Sequence, residues 1–320
     1  MKKNQIMKAS AAALLALSMA ACSSGSASTS DGSGTAAEPK TGVNSTYAYL
    51  LDTTDLEKPE LDLSNADGVL KSILDKGVMT ISTSPDYPAA EWITDDGTIY
   101  GSEMMLAKYI ADCLGVDLAI ETMDFGSTLV AVDAGKADMA FSGYGWKADR
   151  EESYELSKGY IGDPDNDNYH TLIVAAGDVD KYKTLEDFVG AHILAQANSL
   201  QEMYVTDQIL TLEGGDKTEL EKVATLDQAV LGLASGKCDA VALDGNTAEN
   251  YVKQSDGQFA LTGVKFDLEM YGIHEGNVCA AKKGETSLME TINTILDFVN
   301  SKDLYKTWYS EAKAAAGIED

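Results

Sequence analysis

The chain has 320 residues, enough for about two domains. Hydrophobic residues make up 44% and charged residues 24%, ordinary proportions that exclude general disorder, a collagen-like repeat and a polytopic membrane protein. With 52 Asp and Glu against 24 Lys and Arg, a formal net charge of -28, the surface is poorly suited to nucleic acid or anionic lipid, whose phosphates are held mainly by Lys and Arg.

Residues 1–21 predict an export signal. Lys2, Lys3 and Lys8 form a positive start, and residues 9–21 form an apolar run too short to cross a hydrocarbon layer of about 30 Å. The run ends in Ser18-Met19-Ala20-Ala21-Cys22, followed by Ser23-Ser24-Gly25-Ser26. This end resembles a bacterial lipobox, which implies that Cys22 is lipidated and becomes the first residue of the mature chain. An ordinary export signal with a Cys near its cleavage site is the alternative. Residues 22–46 are rich in Ser, Gly, Thr and Ala without apolar periodicity, and are expected to form a flexible tether. Residues 47–64 contain aromatics and leucines but no clean period, and receive no assignment. Only Cys113, on an apolar helix face, and Cys238 and Cys279, beside apolar strand-like runs, follow; three cysteines allow at most one internal disulfide, and buried free thiols are expected. The ordered part must then stand on its hydrophobic core, for which about 250 residues suffice.

From Gly77 onward strand and helix patterns alternate. Residues 78–82 predict a strand, and 105–114 a helix with Leu106, Tyr109, Ile110, Cys113 and Leu114 on one face. Gly115 stands where a helix C-cap belongs. A strand over 116–120, a short helix over 128–134 and a strand over 138–141 follow. The pattern then restarts. Thr184 and Asp187 form a capping box opening a helix, 191–195 predict a strand, Leu226, Ala229, Val230 and Leu233 mark a helix face, and 239–243 a buried strand. Leu288, Ile292, Ile295, Leu296 and Val299 define a last amphipathic helix. Helices between strands imply crossover connections and parallel sheets. Ala134-Gly135-Lys136-Ala137-Asp138 and Ser235-Gly236-Lys237-Cys238-Asp239 share one helix–turn–strand pattern, which with the restart points to two similar α/β lobes.

In open α/β sheets ligands sit beyond the carboxyl ends of the strands. Those positions here carry Ser84, Asp86 and Tyr87; Ser142 through Trp146, then Arg150; Gln196, Asn198, Ser199 and Gln201; and Asp244 with Asn246. Aromatic walls with a few fixed polar groups suit a small polar ligand. The Arg150 guanidinium matches a carboxylate through two parallel hydrogen bonds, and Asp244 matches an ammonium. Arg and Asp across a cleft fit an α-amino acid. The bland alternatives are a helix-end Arg150 paired with Glu151 or Glu152, and an Asp244 that only caps a helix or forms a turn.

Several segments together resemble the amino-acid-binding class of periplasmic-type solute-binding proteins, the extracellular component of ABC importers, in its family 3-like lipoprotein form. They are Ser82-Thr-Ser-Pro-Asp-Tyr-Pro88, Asp95-Asp-Gly-Thr-Ile-Tyr-Gly101, Leu106-Ala-Lys-Tyr-Ile-Ala111, Met123-Asp-Phe125, Gly135-Lys-Ala-Asp138, Ser142 through Arg150, Ser199-Leu-Gln-Glu202, Gly236-Lys-Cys-Asp239 with Asp244, and Ala281-Lys-Lys-Gly284 with Trp308. The resemblance covers roughly residues 65–312. It implies an α/β, two-lobe periplasmic-binding-protein type 2 fold with a discontinuous first lobe (65–170 and 277–320), a second lobe (171–276) and a ligand cleft between them. The crossings would fall near 168–171 and 276–280, and the lobes would close by a hinge motion. It further implies that Arg150 binds the ligand carboxylate and Asp244 its ammonium. Ser142 and Gly143 would contact the ligand from the first lobe, the N–H groups of Asn198 and Ser199 would meet the carboxylate, and Tyr87, Trp92 and Trp146 would wall the pocket. The sequence departs from the family at Ala90, which enlarges the pocket, at Gly145, which removes a hydroxyl, and at Asn198.

Asp163, Asp165 and Asp167 alternate as in a calcium loop, but Val174 stands where the closing Glu belongs, so a solvated loop is expected. His170, His192 and His274 have no metal spacing, and no nucleotide-binding fingerprint is present. The expectation is a binding protein without cofactor or metal, not an enzyme. It would be a monomer anchored by lipid at the extracellular or periplasmic membrane face, delivering an amino acid to an ABC permease. The rivals are a sensor acting through a membrane receptor and a dehydratase-like enzyme, for which Glu91 is the candidate acid or base.

Overall fold

The computed structural model describes residues 51–162, 169–272 and 276–318. The expected export signal, Cys22, the tether, the start of the 47–64 extension, the acidic 163–168 loop and His274 lie outside the described residues.

Helix α1 (Gly68–Lys76) leads into β1 (Val78–Thr83). Three short strands, β2 (Asp86–Tyr87), β3 (Glu91–Ile93) and β4 (Ile99–Tyr100), make a small antiparallel sheet beyond its end. Next come α2 (Ser102–Leu114), β5 (Asp117–Thr122), α3 (Phe125–Asp133), β6 (Met139–Tyr144), α4 (Ala148–Ser153) and β7 (Tyr154–Leu156). A second sheet opens with β8 (His170–Ala175) and β9 (His192–Gln196), continued by α5 (Leu200–Gln208), β10 (Glu219–Val223), α6 (Leu226–Ala234), β11 (Ala240–Asp244), α7 (Gly245–Gln254) and β12 (Phe259–Lys265). The chain returns to the first sheet as β13 (Val278–Lys282) and finishes with α8 (Thr286–Ser301) and α9 (Leu304–Ala315).

The first sheet has the order β5-β1-β6-β13-β7 and the second β10-β9-β11-β8-β12. The two orders are the same plan: β1 corresponds to β9, β5 to β10, β6 to β11 and α3 to α6, while β13 and β8 are matching strands. The repeated turn shows why. Gly135 and Gly236 adopt φ of 66° and 68°, open to glycine at little cost, and reverse the chain after α3 and α6. Asp138 then accepts from the Thr80 N–H at 2.7 Å, and Asp239 from the His192 N–H at 2.8 Å. In each lobe the same carboxylate stitches the start of the central strand to its neighbour.

The sheets are mixed rather than parallel. β13 runs antiparallel to β6 and β7, and β8 antiparallel to β11 and β12. These are the first strands the chain forms on entering each sheet from the other one. They start where β6 and β11 end, with Val278 opposite Tyr144 and His170 opposite Asp244, and therefore run the opposite way. The two connections touch where Tyr160 and Asn277 exchange backbone hydrogen bonds at 2.9 Å each.

Both faces of each sheet are covered, so the central strands are apolar up to their ends at the cavity. On β6, Met139 and Phe141 enter the core shared with α2 and α8, and Ala140 and Tyr144 the core under α3. On β11, Ala240 and Ala242 point to one face and Val241 and Leu243 to the other. The last helix buries Leu288, Ile292, Ile295, Leu296 and Val299, as its spacing predicts. Gly115 caps α2. The capping box at Thr184 is present but opens only a four-residue 3-10 turn, Leu185–Phe188. Cys238 and Cys279 are buried free thiols, whereas Cys113 is only half-buried.

The extension left unassigned by its pattern packs on the first lobe. Leu51, Leu56, Leu61 and Leu63 join the core of α2 and α8, the Thr53 hydroxyl donates to Asp112 at 2.6 Å, and the Tyr109 hydroxyl donates to the Glu57 carbonyl at 2.6 Å. Removing residues 47–64 uncovers apolar surface and leaves the Tyr109 hydroxyl without this acceptor. Urea unfolding of the shortened chain should show a loss of about 3 kcal/mol or more. An unchanged midpoint and slope would mean that the extension only rests on the surface.

Candidate functional site

The ends of β1, β6, β9 and β11 converge from the two sheets on a cavity of ≈ 870 Å³. It is lined by Asp86, Tyr87, Glu91, Ser142 and Arg150 from the first lobe and by Gln196, Ser199, Gln201, Tyr204 and Asp244 from the second. This volume lies within the ordinary range for small-molecule sites.

Arg150 sits in α4, the short helix that follows β6, and is 5% exposed. Its guanidinium donates to the carbonyl of Gly145 in its own lobe and to that of Asn198 in the other, the latter at 3.1 Å. It lies 4.9 Å from the centre of the Tyr144 ring, an aromatic face that favours a cation. Burial lowers its pKa, yet a guanidinium keeps its proton at any ordinary pH. Among the described residues no carboxylate stands within ion-pair distance of it. A guanidinium has five N–H groups, and the two carbonyls do not exhaust them. Gly145 passes close to the Leu200 side chain of the other lobe, whose end would have to move to admit a Cβ there.

Carboxyl groups line the same space, with a further one buried behind its wall. Glu91 is fully buried; its Oε1 accepts from the Ser142 hydroxyl at 3.1 Å, and its Oε2 has no hydrogen-bond partner. Burial, then the nearby Glu103 and Asp86, push its pKa well above the usual carboxylate range. Glu103, at the start of α2, accepts from the Gly143 N–H at 3.0 Å, the Tyr160 hydroxyl at 3.0 Å and the Asn277 amide at 3.2 Å. Burial raises its pKa to about 7 against those three donors. Asp244 lines the cavity and caps α7, accepting from the Thr247 N–H at 3.1 Å. His170 beside it accepts at Nδ1 from the Gln201 side-chain amide at 2.9 Å, and burial lowers its pKa to about 4.

The structure redistributes the expected roles. Arg150, Asp244, Ser142, Gly143, Ser199, Tyr87 and Trp146 all line the cavity. The Ser142 hydroxyl, however, already donates to Glu91 and accepts from the Ser84 N–H at 2.9 Å. The Gly143 N–H goes to Glu103, and its φ of 59° and the Tyr87 ring, 2.6 Å from where a Cβ would stand, explain the glycine. The Asn198 N–H goes to Glu202 and that of Ser199 to the Gln196 carbonyl, so neither is offered to a ligand. Asn198 is not among the lining residues; it contributes its carbonyl to Arg150. The Ser199 hydroxyl caps α5 by accepting from Glu202 N–H at 3.1 Å. The N–H groups of Leu200 and Gln201, one position further on, are the first-turn donors without an acceptor inside the helix. Trp92 does not line the cavity but meets Tyr100 edge-on, ring centres 5.3 Å apart. Neighbouring residues on a strand face opposite ways, so with Glu91 turned inward on β3, Trp92 turns out. Glu103, Tyr160 and Asn277 were not anticipated; the buried Glu103 on an otherwise apolar helix face was the one available signal. Among the described residues, no group of three or more His, Cys, Asp or Glu side chains is arranged to hold a metal, and no helix is long and apolar enough to cross a membrane.

Two similar α/β lobes with strand ends facing one cavity, lined by a buried cation and several carboxyls, define a two-lobed clamp for a small polar solute. The sequence model of the bacterial extracellular solute-binding proteins, family 3, matches residues 79–311, and the chain belongs to that family. It is 27% identical over 246 residues to the arginine-binding extracellular protein ArtP of Bacillus subtilis, covering 74% of this chain and 88% of that one. It is 22% identical to the L-cystine-binding protein TcyJ of Escherichia coli K12, covering 71% and 79%. Among solved structures, an amino acid ABC transporter substrate-binding protein from Streptococcus pneumoniae, bound to L-arginine, superposes with a TM-score of 0.67 at 28% identity, covering 78% of this chain and 98% of the other. The fold is thus the two-lobe periplasmic-binding-protein type 2 fold, and its relatives are binding proteins associated with amino acid transport.

The Glu103 environment has a pH signature. Its folded-state value, about 7, exceeds its ordinary 4.5, so protonation favours the folded state. That contribution is complete below about pH 4.5 and is lost as pH rises through about 7. Glu103→Gln removes it. Urea unfolding free energies should therefore show wild type losing stability relative to the variant between pH 5 and 8, by about 1 kcal/mol or more. Parallel profiles would mean that Glu103 does not titrate in that window.

Proposed function

We propose that this chain is a lipid-anchored extracellular receptor that captures an α-amino acid with a cationic side chain between its lobes and delivers it to an ABC permease. The observation that carries this reading is Arg150, a buried guanidinium with N–H groups to spare and no carboxylate partner among the described residues. The ligand α-carboxylate completes it, with the Leu200 and Gln201 N–H groups at the start of α5 as further donors. Asp244 takes the α-ammonium, and Tyr87 and Trp146 flank the ligand. Glu91, whose Oε2 has no partner, receives the cationic end of the side chain, whose charge favours the ionised carboxylate that burial alone disfavours. The arginine bound by the Streptococcus pneumoniae relative supports that ligand class. The lipobox-like Ser18–Cys22 segment and the Ser/Gly tether support the anchor, with the lobes held at the membrane face as a monomer.

A catalytic reading draws on one observation, the raised pKa of Glu91 in the cleft, which suits a general acid. Mass analysis of ligand recovered after long incubation separates the two: a receptor returns it unchanged.

Titration calorimetry of protein first unfolded and refolded, against the twenty amino acids, tests the receptor reading. Tight binding of one or two basic amino acids is expected, and no binding by any would overturn it. Arg150→Ala should weaken binding by on the order of 2–5 kcal/mol, the range for truncating one partner of a buried charge pair. A change within threefold would contradict the assignment. Glu91→Gln should weaken L-arginine and L-lysine at least tenfold while leaving L-glutamine within threefold, and an equal effect on all three would remove Glu91 from the side-chain site.

A further inference from the structure

Asp86 bridges the lobes. It stands on β2, just beyond the end of β1, and its Oδ1 accepts from the Ser84 hydroxyl at 2.9 Å. Its Oδ2 accepts two hydrogen bonds from the second lobe: from the Gln196 side-chain amide at 3.0 Å and from the backbone N–H of Leu226 at 2.9 Å. Leu226 is the first residue of α6. The side chain of that helix's cap, Thr225, accepts from the Gln228 N–H, at 3.3 Å, and not from that of Leu226. The first N–H of a helix has no acceptor within it, and here a carboxylate from the other lobe supplies one, at the end of the helix where negative charge is favoured. Tyr87, next in the chain, packs with Leu226 and its neighbours.

The corresponding contact on the opposite flank is built from the matching elements. Asn198 follows β9 as Asp86 follows β1, and it lies against Gly126 at the start of α3, where a Cβ would come within 2.8 Å of the Asn198 amide. The same Asn198 carbonyl holds Arg150. Each lobe thus places the loop after its equivalent strand on the start of the other lobe's equivalent helix. The cleft is fastened on both sides.

We propose that Asp86 is a positioning residue that latches the lobes together, setting affinity through closure rather than through contact with the solute. The proposal rests on the receptor reading for its effect on affinity, but not for its effect on lobe separation. The Asp86 bonds to Gln196 and Leu226 form only with the lobes apposed; when the lobes part, donors and carboxylate return to water. A group that stabilises one of two conformations raises apparent affinity for every ligand of that conformation by the same factor.

Two variants test it from opposite sides. Asp86→Ala removes the acceptor. Leu226→Pro removes the donor: proline is well tolerated at the first position of a helix, and Thr225 before it is extended, φ -130° and ψ 154°, the conformation that a following proline favours. Leu226→Ala controls for the lost side chain. Small-angle scattering of each ligand-free protein should give a larger radius of gyration for Asp86→Ala than for wild type, and for Leu226→Pro than for Leu226→Ala. Calorimetry should show L-arginine and L-lysine weakened about tenfold by Asp86→Ala, by a common factor, and the double variant Asp86→Ala/Leu226→Pro should fall well short of the sum of the two. Unchanged radii, fully additive losses, or a loss confined to one of the two amino acids would overturn the latch; the last would make Asp86 a ligand contact. If neither amino acid binds wild type, the receptor reading fails, and the scattering comparison still decides the latch.

Discussion

The site depends on one buried guanidinium. Isolating a charge from water costs several kcal/mol unless partners replace the lost hydration. Arg150 meets that cost with two backbone carbonyls, one from each lobe, and the face of Tyr144. No carboxylate of this very acidic chain approaches it among the described residues. Its position follows from the fold. The strand β6 carries the chain to the cavity, Gly145 lets the loop pass the Leu200 side chain, and α4 turns Arg150 back under Tyr144. Acidic groups stand elsewhere on the wall, Glu91 beside the Ser142 hydroxyl and Asp244 on the cap of α7, with Glu103 buried behind the wall under the Gly143 N–H. A cavity with one cationic point and several separated carboxyl groups has the complementarity that a zwitterion needs.

The two lobes achieve this with one plan used twice. The strand orders match element for element, and the same Gly-Lys-x-Asp turn stitches the central strand of each sheet to its neighbour, Asp138 on Thr80 and Asp239 on His192. The strand that enters each sheet from the other lobe must start at the cavity and run away from it. That reversal brings the two connections side by side at Tyr160 and Asn277. Glu103 takes hydrogen bonds from both of these residues and from the Gly143 loop, so the cavity wall and the connections share one buried carboxyl.

Much of this was legible in the sequence, for physical reasons. Helical spacing exposed the core faces of α2 and α8, and the Gly-turn repeat exposed the twofold plan. The rule that ligands meet strand ends brought Arg150, Asp244, Tyr87 and Ser199 to the cavity. What escaped follows from what periodicity cannot encode. β8 and β13 are apolar on both faces, so their pattern gives no direction and does not tell mixed sheets from parallel ones. One residue of parity on β3 turned Glu91 inward and Trp92 outward. The N–H groups of Gly143, Asn198 and Ser199 were spent on Glu103, Glu202 and Gln196, partners that only the folded chain brings close. The leucines of the extension have no period because they pack one by one onto a surface formed by α2 and α8, not as the face of an element of their own.

The most direct test of the central claim is a crystal structure of the refolded protein grown with L-arginine. The ligand carboxylate is expected within hydrogen-bond distance of the Arg150 guanidinium, with the ligand side chain directed to Glu91. An arginine bound away from Arg150, or with its guanidinium rather than its carboxylate nearest that residue, would contradict the claim.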